Sequence, residues 1–229
     1  MNKIIITSCL ALLIYSCNEK KQEEKVNATV QQENIHPVSI NTPDEAVAEL
    51  KAGNIRFMDD KLINTNFKGQ INHSKNDQHP HSLILSCLDS RIPPEIIFDQ
   101  GIGNIFVARV AGNIEDLNIT GSMEFATKVK KSKLIVVMGH NKCGAVKGAI
   151  DNAELGNLTQ LVNQIKPALT GDNTNPDAML DESAKNNVKM TIEDILKSSP
   201  ILTELIKEGQ LKIVGAFYDL TTGKVVFME

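Results

Sequence analysis

Tryptophan is absent, tyrosine occurs twice, and aromatic residues make up only 4% of the chain. The composition is otherwise that of an ordinary soluble α/β protein. No block of basic residues interrupts a mildly acidic balance, net charge −4. Nothing in the charge pattern therefore invites nucleic acid or an anionic membrane surface. No apolar run is long enough to span a bilayer as a stable helix, since the one near the N-terminus covers only residues 4–15. Internal repeats and a second domain are also lacking, and a chain of 229 residues fits one sizeable core.

The short apolar run is an export signal. Lys3 supplies a positive n-region, residues 4–15 the h-region, and Leu13-Ile14-Tyr15-Ser16-Cys17 is similar to a bacterial lipoprotein processing site. This reading divides the chain into a signal peptide (1–16), an acylated Cys17 with a flexible tether (17–41), and a folded domain (42–229). Cleavage of an ordinary secretory signal, or retention as an uncleaved anchor, are the other outcomes such an N-terminus allows. Acyl chains on Cys17 would hold the protein on the cell envelope, facing the periplasm, with Asn18 compatible with outer-membrane delivery. The tether is rich in Glu, Lys, Gln and Asn, which suits a solvated linker.

Cysteine is scarce, and the four present are quickly assigned. Cys9 leaves with the signal and Cys17 carries lipid, so Cys87 and Cys143 remain. In an exported protein two leftover cysteines ordinarily mean a disulfide. Their surroundings argue for a metal instead. Ser86-Cys87-Leu88-Asp89-Ser90-Arg91 closes the apolar run Leu83-Ile84-Leu85 and sets a thiol, a carboxylate and a guanidinium on alternate positions. On an extended backbone these share a side. Gly139-His140-Asn141-Lys142-Cys143-Gly144 follows a second apolar run, 134–138. Cys87, His140 and Cys143 make two sulfurs and one nitrogen, leaving a tetrahedral ion one open position, the pattern of a catalytic zinc site.

These residues carry a family resemblance. C-x-D-x-R with H-x-x-C resembles the β-class carbonic anhydrases, as do the flanks Ser90-Arg91-Ile92-Pro93-Pro94-Glu95 and Phe106-Val107-Ala108-Arg109-Val110-Ala111-Gly112-Asn113. The resemblance runs from about Asp44 to the C-terminus. It implies reversible hydration of carbon dioxide to bicarbonate and a proton, by a zinc-bound hydroxide that an Asp89–Arg91 dyad orients, with one Zn2+ per subunit. It implies that Gln78 contacts substrate, and a homodimer or a tetramer of dimers with sites near subunit boundaries. Gly144 would let backbone approach the open metal position. Some members place the aspartate on the metal, and some bind regulatory bicarbonate through a tryptophan. Its absence here leans toward an open site.

Three competing readings keep parts of this assignment. The same fold can hydrolyse carbonyl sulfide or carbon disulfide. A lipid-anchored zinc or bicarbonate binder would need no Asp89–Arg91 pair. A purely structural chain would carry a Cys87–Cys143 disulfide and no metal.

The predicted fold is α/β, a single domain with a mostly parallel central sheet of four strands plus an antiparallel edge strand, flanked by helices and led by an N-terminal helical arm. Strands are expected at 83–87, 104–110, 134–138, 211–217 and 224–228. Helices are expected at about 42–60, 93–98, 121–131, from 143, and at 158–169, 177–197 and 201–208. Residues 61–81 read as an irregular polar stretch in which His73, His79 and His81 are solvated.

Overall fold

The computed structural model describes residues 39–170 and 175–228. The signal, Cys17 and most of the tether lie outside the described residues. A capping box starts the first helix, α1 (Pro43–Met58): Thr42 Oγ1 accepts from the Glu45 N–H, and the Glu45 carboxylate accepts from the Thr42 N–H. The helix buries Ala46, Leu50, Gly53 and Asn54, so the arm covers its own domain.

Five strands follow: β1 (Ser82–Ser86), β2 (Ile105–Arg109), β3 (Leu134–His140), β4 (Lys212–Tyr218) and β5 (Val225–Met228). They form one sheet in the order β2-β1-β3-β4-β5, parallel except for the antiparallel β5. This is the expected architecture. β1 and β3 are buried along their whole length, which explains their unbroken apolar runs: helices cover both faces. Alternation divides their side chains. Ile84, Leu134, Val136 and Met138 join the core with α1, while Leu83, Leu85, Ile135 and Val137 face the opposite one.

The remaining helices are α2 (Phe67–Ser74), α3 (Pro94–Ile97), α4 (Leu117–Glu124), α5 (Gly144–Ile150), α6 (Gly156–Ile165), α7 (Pro176–Ser198) and α8 (Pro200–Lys207). Two differ from the sequence reading. The α2 helix lies inside the stretch read as irregular; Asn66 caps it through the Gly69 N–H, and it buries only Gln70. One buried position gives too little periodicity to see. The α4 helix begins four residues earlier than expected, capped by Asp116, and runs into a π-helical turn at Phe125–Val129. There Lys130 donates to the Phe125 carbonyl and Phe125 packs edge-on against Phe106 of β2.

His81 is the clearest correction. It is buried rather than solvated, with Nδ1 on Ser82 Oγ at 2.8 Å and Nε2 on Gln100 Oε1 at 3.0 Å. His73 and His79 are exposed, as expected.

Candidate metal centre

The three expected ligands stand together at the carboxyl ends of β1 and β3, where open parallel sheets form their sites. Cys87 is the residue after β1, His140 ends β3, and Cys143 is the N-cap of α5. The β3 strand continues two residues past its apolar run because its ladder with β4 reaches His140–Tyr218. Asn141 then fixes the turn: its N–H donates to the Tyr218 carbonyl, and its Oδ1 accepts from the Leu220 N–H. Gly139 permits this geometry. A Cβ there would come within 2.7 Å of Val188 Cγ2, so only glycine lets α7 seat this closely behind His140.

The donor atoms of Cys87, His140 and Cys143 lie within 4.8 Å of one another. The side chains are enclosed, at 4%, 0% and 1% exposure. His140 Nδ1 donates to the Asn141 carbonyl at 2.8 Å, since a carbonyl can only accept. That leaves Nε2 as the lone-pair nitrogen, and this buried atom has no hydrogen-bond partner. The two sulfurs are free and 4.0 Å apart. Two thiolates on one tetrahedral zinc ion stand about 3.8 Å apart. The donor set fits a metal.

Electrostatics prepare the sulfurs. Cys87 is held below the ordinary thiol range, to about 4, first by the thiol of Cys143 donating to it and then by the Gly112 N–H, against burial. Cys143 is pushed up because it keeps the shared proton and is buried; the N–H groups of Ala145 and Val146 pull the other way. Without metal the pair carries one negative charge between two sulfurs.

Asp89 and Arg91 meet, but through a turn rather than along an extended strand. The β1 strand stops at Ser86, and the Ile92 N–H donates to the Asp89 carbonyl. The turn brings Arg91 back onto Asp89: Nε donates to Oδ1 at 2.9 Å, Nη2 to Oδ2 at 2.7 Å, and the Arg91 N–H to Oδ1 at 3.0 Å. These contacts hold the Asp89 carboxyl down at about 2, with the Arg91 side chain the largest cause.

Gln78 stands apart from this cluster, whereas Gly144 directly follows Cys143 as the first residue of α5. Gln78 is exposed before the amino end of β1, whereas Cys87 follows its carboxyl end. Five residues of strand, roughly 16 Å, separate the two ends. A Cβ at Gly144 would meet nothing within 4 Å, so its backbone faces open space.

Sequence reasoning missed Arg109 as a site residue. Its Nε donates to the Cys87 carbonyl at 3.1 Å and its Nη2 to the Asp89 carbonyl. Beyond Ser86 the β1 ladder has run out, and the guanidinium takes the place of the missing strand partners. Two signals were available: its place in the Phe106–Asn113 stretch that carries the family resemblance, and its position at the end of β2, opposite Ser86.

Fold and site thus define an α/β protein with a buried Cys–His–Cys set that could hold a metal ion, at the carboxyl ends of two interior strands of a mostly parallel sheet. Comparison with known proteins carries this further. The carbonic anhydrase family model matches residues 82–225. Carbonic anhydrase 2 of Mycobacterium tuberculosis (strain CDC 1551 / Oshkosh) is 34% identical over 195 residues, covering 82% of this chain and 93% of the relative. The carbonic anhydrase of Mycolicibacterium smegmatis is 34% identical over 191 residues, covering 81% and 93%. Among solved structures, one of the tetrameric β-carbonic anhydrases of Sordaria macrospora has a TM-score of 0.64 at 27% identity, covering 81% of this chain and 97% of that one. The chain belongs to the carbonic anhydrase family, in its β class.

Proposed function

We propose that this carbonic anhydrase interconverts carbon dioxide and bicarbonate with one zinc ion per subunit, held by Cys87, His140 and Cys143. The observation that carries the metal is the buried, unpartnered His140 Nε2 beside two free sulfurs. Zinc, when bound, supplies a water that ionises near neutral pH and a positive charge facing the substrate. The rest falls to the protein. The Asn141 carbonyl fixes the His140 ring and its tautomer. Asp89, ionised throughout the working pH range, accepts a hydrogen bond from the attacking oxygen and turns its lone pair toward the carbon of carbon dioxide. Arg91 prevents the carboxylate from rotating away. Two thiolates donate more charge than imidazoles would, so activity belongs on the alkaline side.

Gln78 is assigned to substrate in a neighbouring subunit's site, because the length of β1 separates it from its own. The assembly is then a homodimer or a tetramer built from dimers. The tetrameric Sordaria macrospora structures support that reading. The sequence pattern at Leu13 to Cys17 supports export and lipid anchoring at the periplasmic face of the envelope. Among the described residues no helix is long and apolar enough to cross a membrane. Labelling with a fatty acid should mark the wild type and spare Cys17→Ala.

Stopped-flow hydration of carbon dioxide near pH 8.5 tests the activity, with metal-loaded Asp89→Asn as the matched control. Fast hydration should fall by about 100-fold or more in the control. A metal-loaded wild type without hydration activity would overturn the reading, and turnover of carbonyl sulfide instead would replace it.

A further inference from the structure

Behind the Cys87 sulfur lies a hydrogen-bonded chain that none of the motifs describes. Gly112 sits in a 3-10 turn (Ala111–Asn113) directly after β2, in the left-handed region at φ 73°. Its N–H donates to Cys87 Sγ at 3.3 Å, and its carbonyl accepts from Asn187 Nδ2 at 2.7 Å. Asn187 belongs to α7 and is wholly buried. Its Oδ1 has no hydrogen-bond partner, so only half of the amide is satisfied. A leucine would fill this space without the desolvation cost. The half that is used points at a single atom, the Gly112 carbonyl.

The Gly112 Cα has little freedom on its other sides. A Cβ at this position would come within 2.5 Å of Ile165 Cδ1 and 3.3 Å of Ala145 Cβ. The Gly112 N–H and C=O lie in successive peptide planes that share this enclosed Cα. Cys87 holds one plane and Asn187 the other, so a shift of one turns the other through the Gly112 Cα. An N–H aimed at a thiolate draws charge off the sulfur and weakens what the sulfur donates to a metal.

We infer that Asn187 is a positioning residue: by holding the Gly112 carbonyl it aims the Gly112 N–H at Cys87 and tunes that thiolate's donor strength. The inference rests on the metal reading above, and its test separates the two. Cobalt(II) is loaded in place of zinc, and the thiolate-to-cobalt charge-transfer band is recorded for wild type, Asn187→Leu, Asn187→Ser and Thr191→Val. Serine keeps a polar group too short to reach Gly112. Thr191 lies one turn away on the same helix, buried with an unpartnered hydroxyl, and reports generic disturbance of α7.

The band should move to longer wavelength in both Asn187 variants, as the sulfur regains electron density, and stay in place in Thr191→Val. In the zinc forms, kcat/KM should fall about tenfold in the Asn187 variants alone. An unmoved band in a folded Asn187 variant would overturn the inference, since a purely structural asparagine alters stability but not the sulfur. Absence of any thiolate band in the wild type would instead overturn the metal reading.

Discussion

The sulfurs of Cys87 and Cys143 stand 4.0 Å apart, both buried and both free. A disulfide needs about 2 Å between them, so each must yield roughly 1 Å. A bound metal uses both sulfurs and prevents the reaction. We expect chelated protein treated with a small organic disulfide to lose both thiols and two hydrogens, the reagent leaving as two thiols. Metal-loaded protein should resist under the same conditions. Intact-mass measurement and thiol titration check this; unchanged thiols in the chelated sample would show that the backbone holds the sulfurs apart.

Replacing Arg91 isolates orientation from ionisation. Without the guanidinium, the Asp89 carboxyl rises from about 2 back toward 3.8. That still leaves it ionised at pH 7 and above, so protonation cannot explain a loss of activity there. Arg91→Leu should nevertheless lower kcat/KM by about 100-fold, without recovery at higher pH and with metal content unchanged. Arg91→Lys should fall between, since an ammonium cannot reproduce the two-point contact. Stopped-flow rates from pH 7 to 9, with metal analysis, distinguish these outcomes.

Much of this site was legible because each ligand adjoins a strong local signal. Cys87 and His140 each lie two residues beyond a short apolar run of the kind buried strands produce, and Cys143 precedes a glycine at a helix start. The sheet was legible for the same reason, down to the antiparallel β5. What escaped depends on contacts between distant segments. His81 looks like any polar loop residue until Gln100, nineteen positions on, meets its ring. Asn187 lies seventy-five positions from Gly112, and nothing around it in sequence marks it as different from Asn186. The Asp89–Arg91 pairing was foreseen, but for the wrong geometric reason, since a turn makes it.

Arg109 gives a separate handle on Cys87. Arg109→Met keeps the stem and removes the donors to the Cys87 and Asp89 carbonyls. Water can reach this exposed edge, so the stability cost should be small, about 1 kcal/mol. The effect on the metal should be larger. A loosened Cys87 backbone should raise the zinc dissociation constant by about tenfold, measured by competition with a chelating dye. Equal affinity in wild type and variant would remove Arg109 from the support of the site.

His81 sets how the fold responds to acid. Burial holds its pKa below 6.5, opposed in part by the hydrogen bond to Gln100 and the charge of Glu49. In the unfolded chain the ring titrates near its ordinary value, about 6.5. The neutral ring therefore stabilises the fold fully above that value. The contribution is lost as pH falls through 6.5 toward the lower folded pKa, because the unfolded state takes up the proton first. Thermal unfolding from pH 7.5 to 5.5 should show a steeper fall in Tm for wild type than for His81→Gln. Glutamine can still donate to Gln100 Oε1 but cannot titrate. The variant should start lower at pH 7.5, having lost the bond to Ser82, and change less. Parallel curves would mean that His81 is not the group the acid finds.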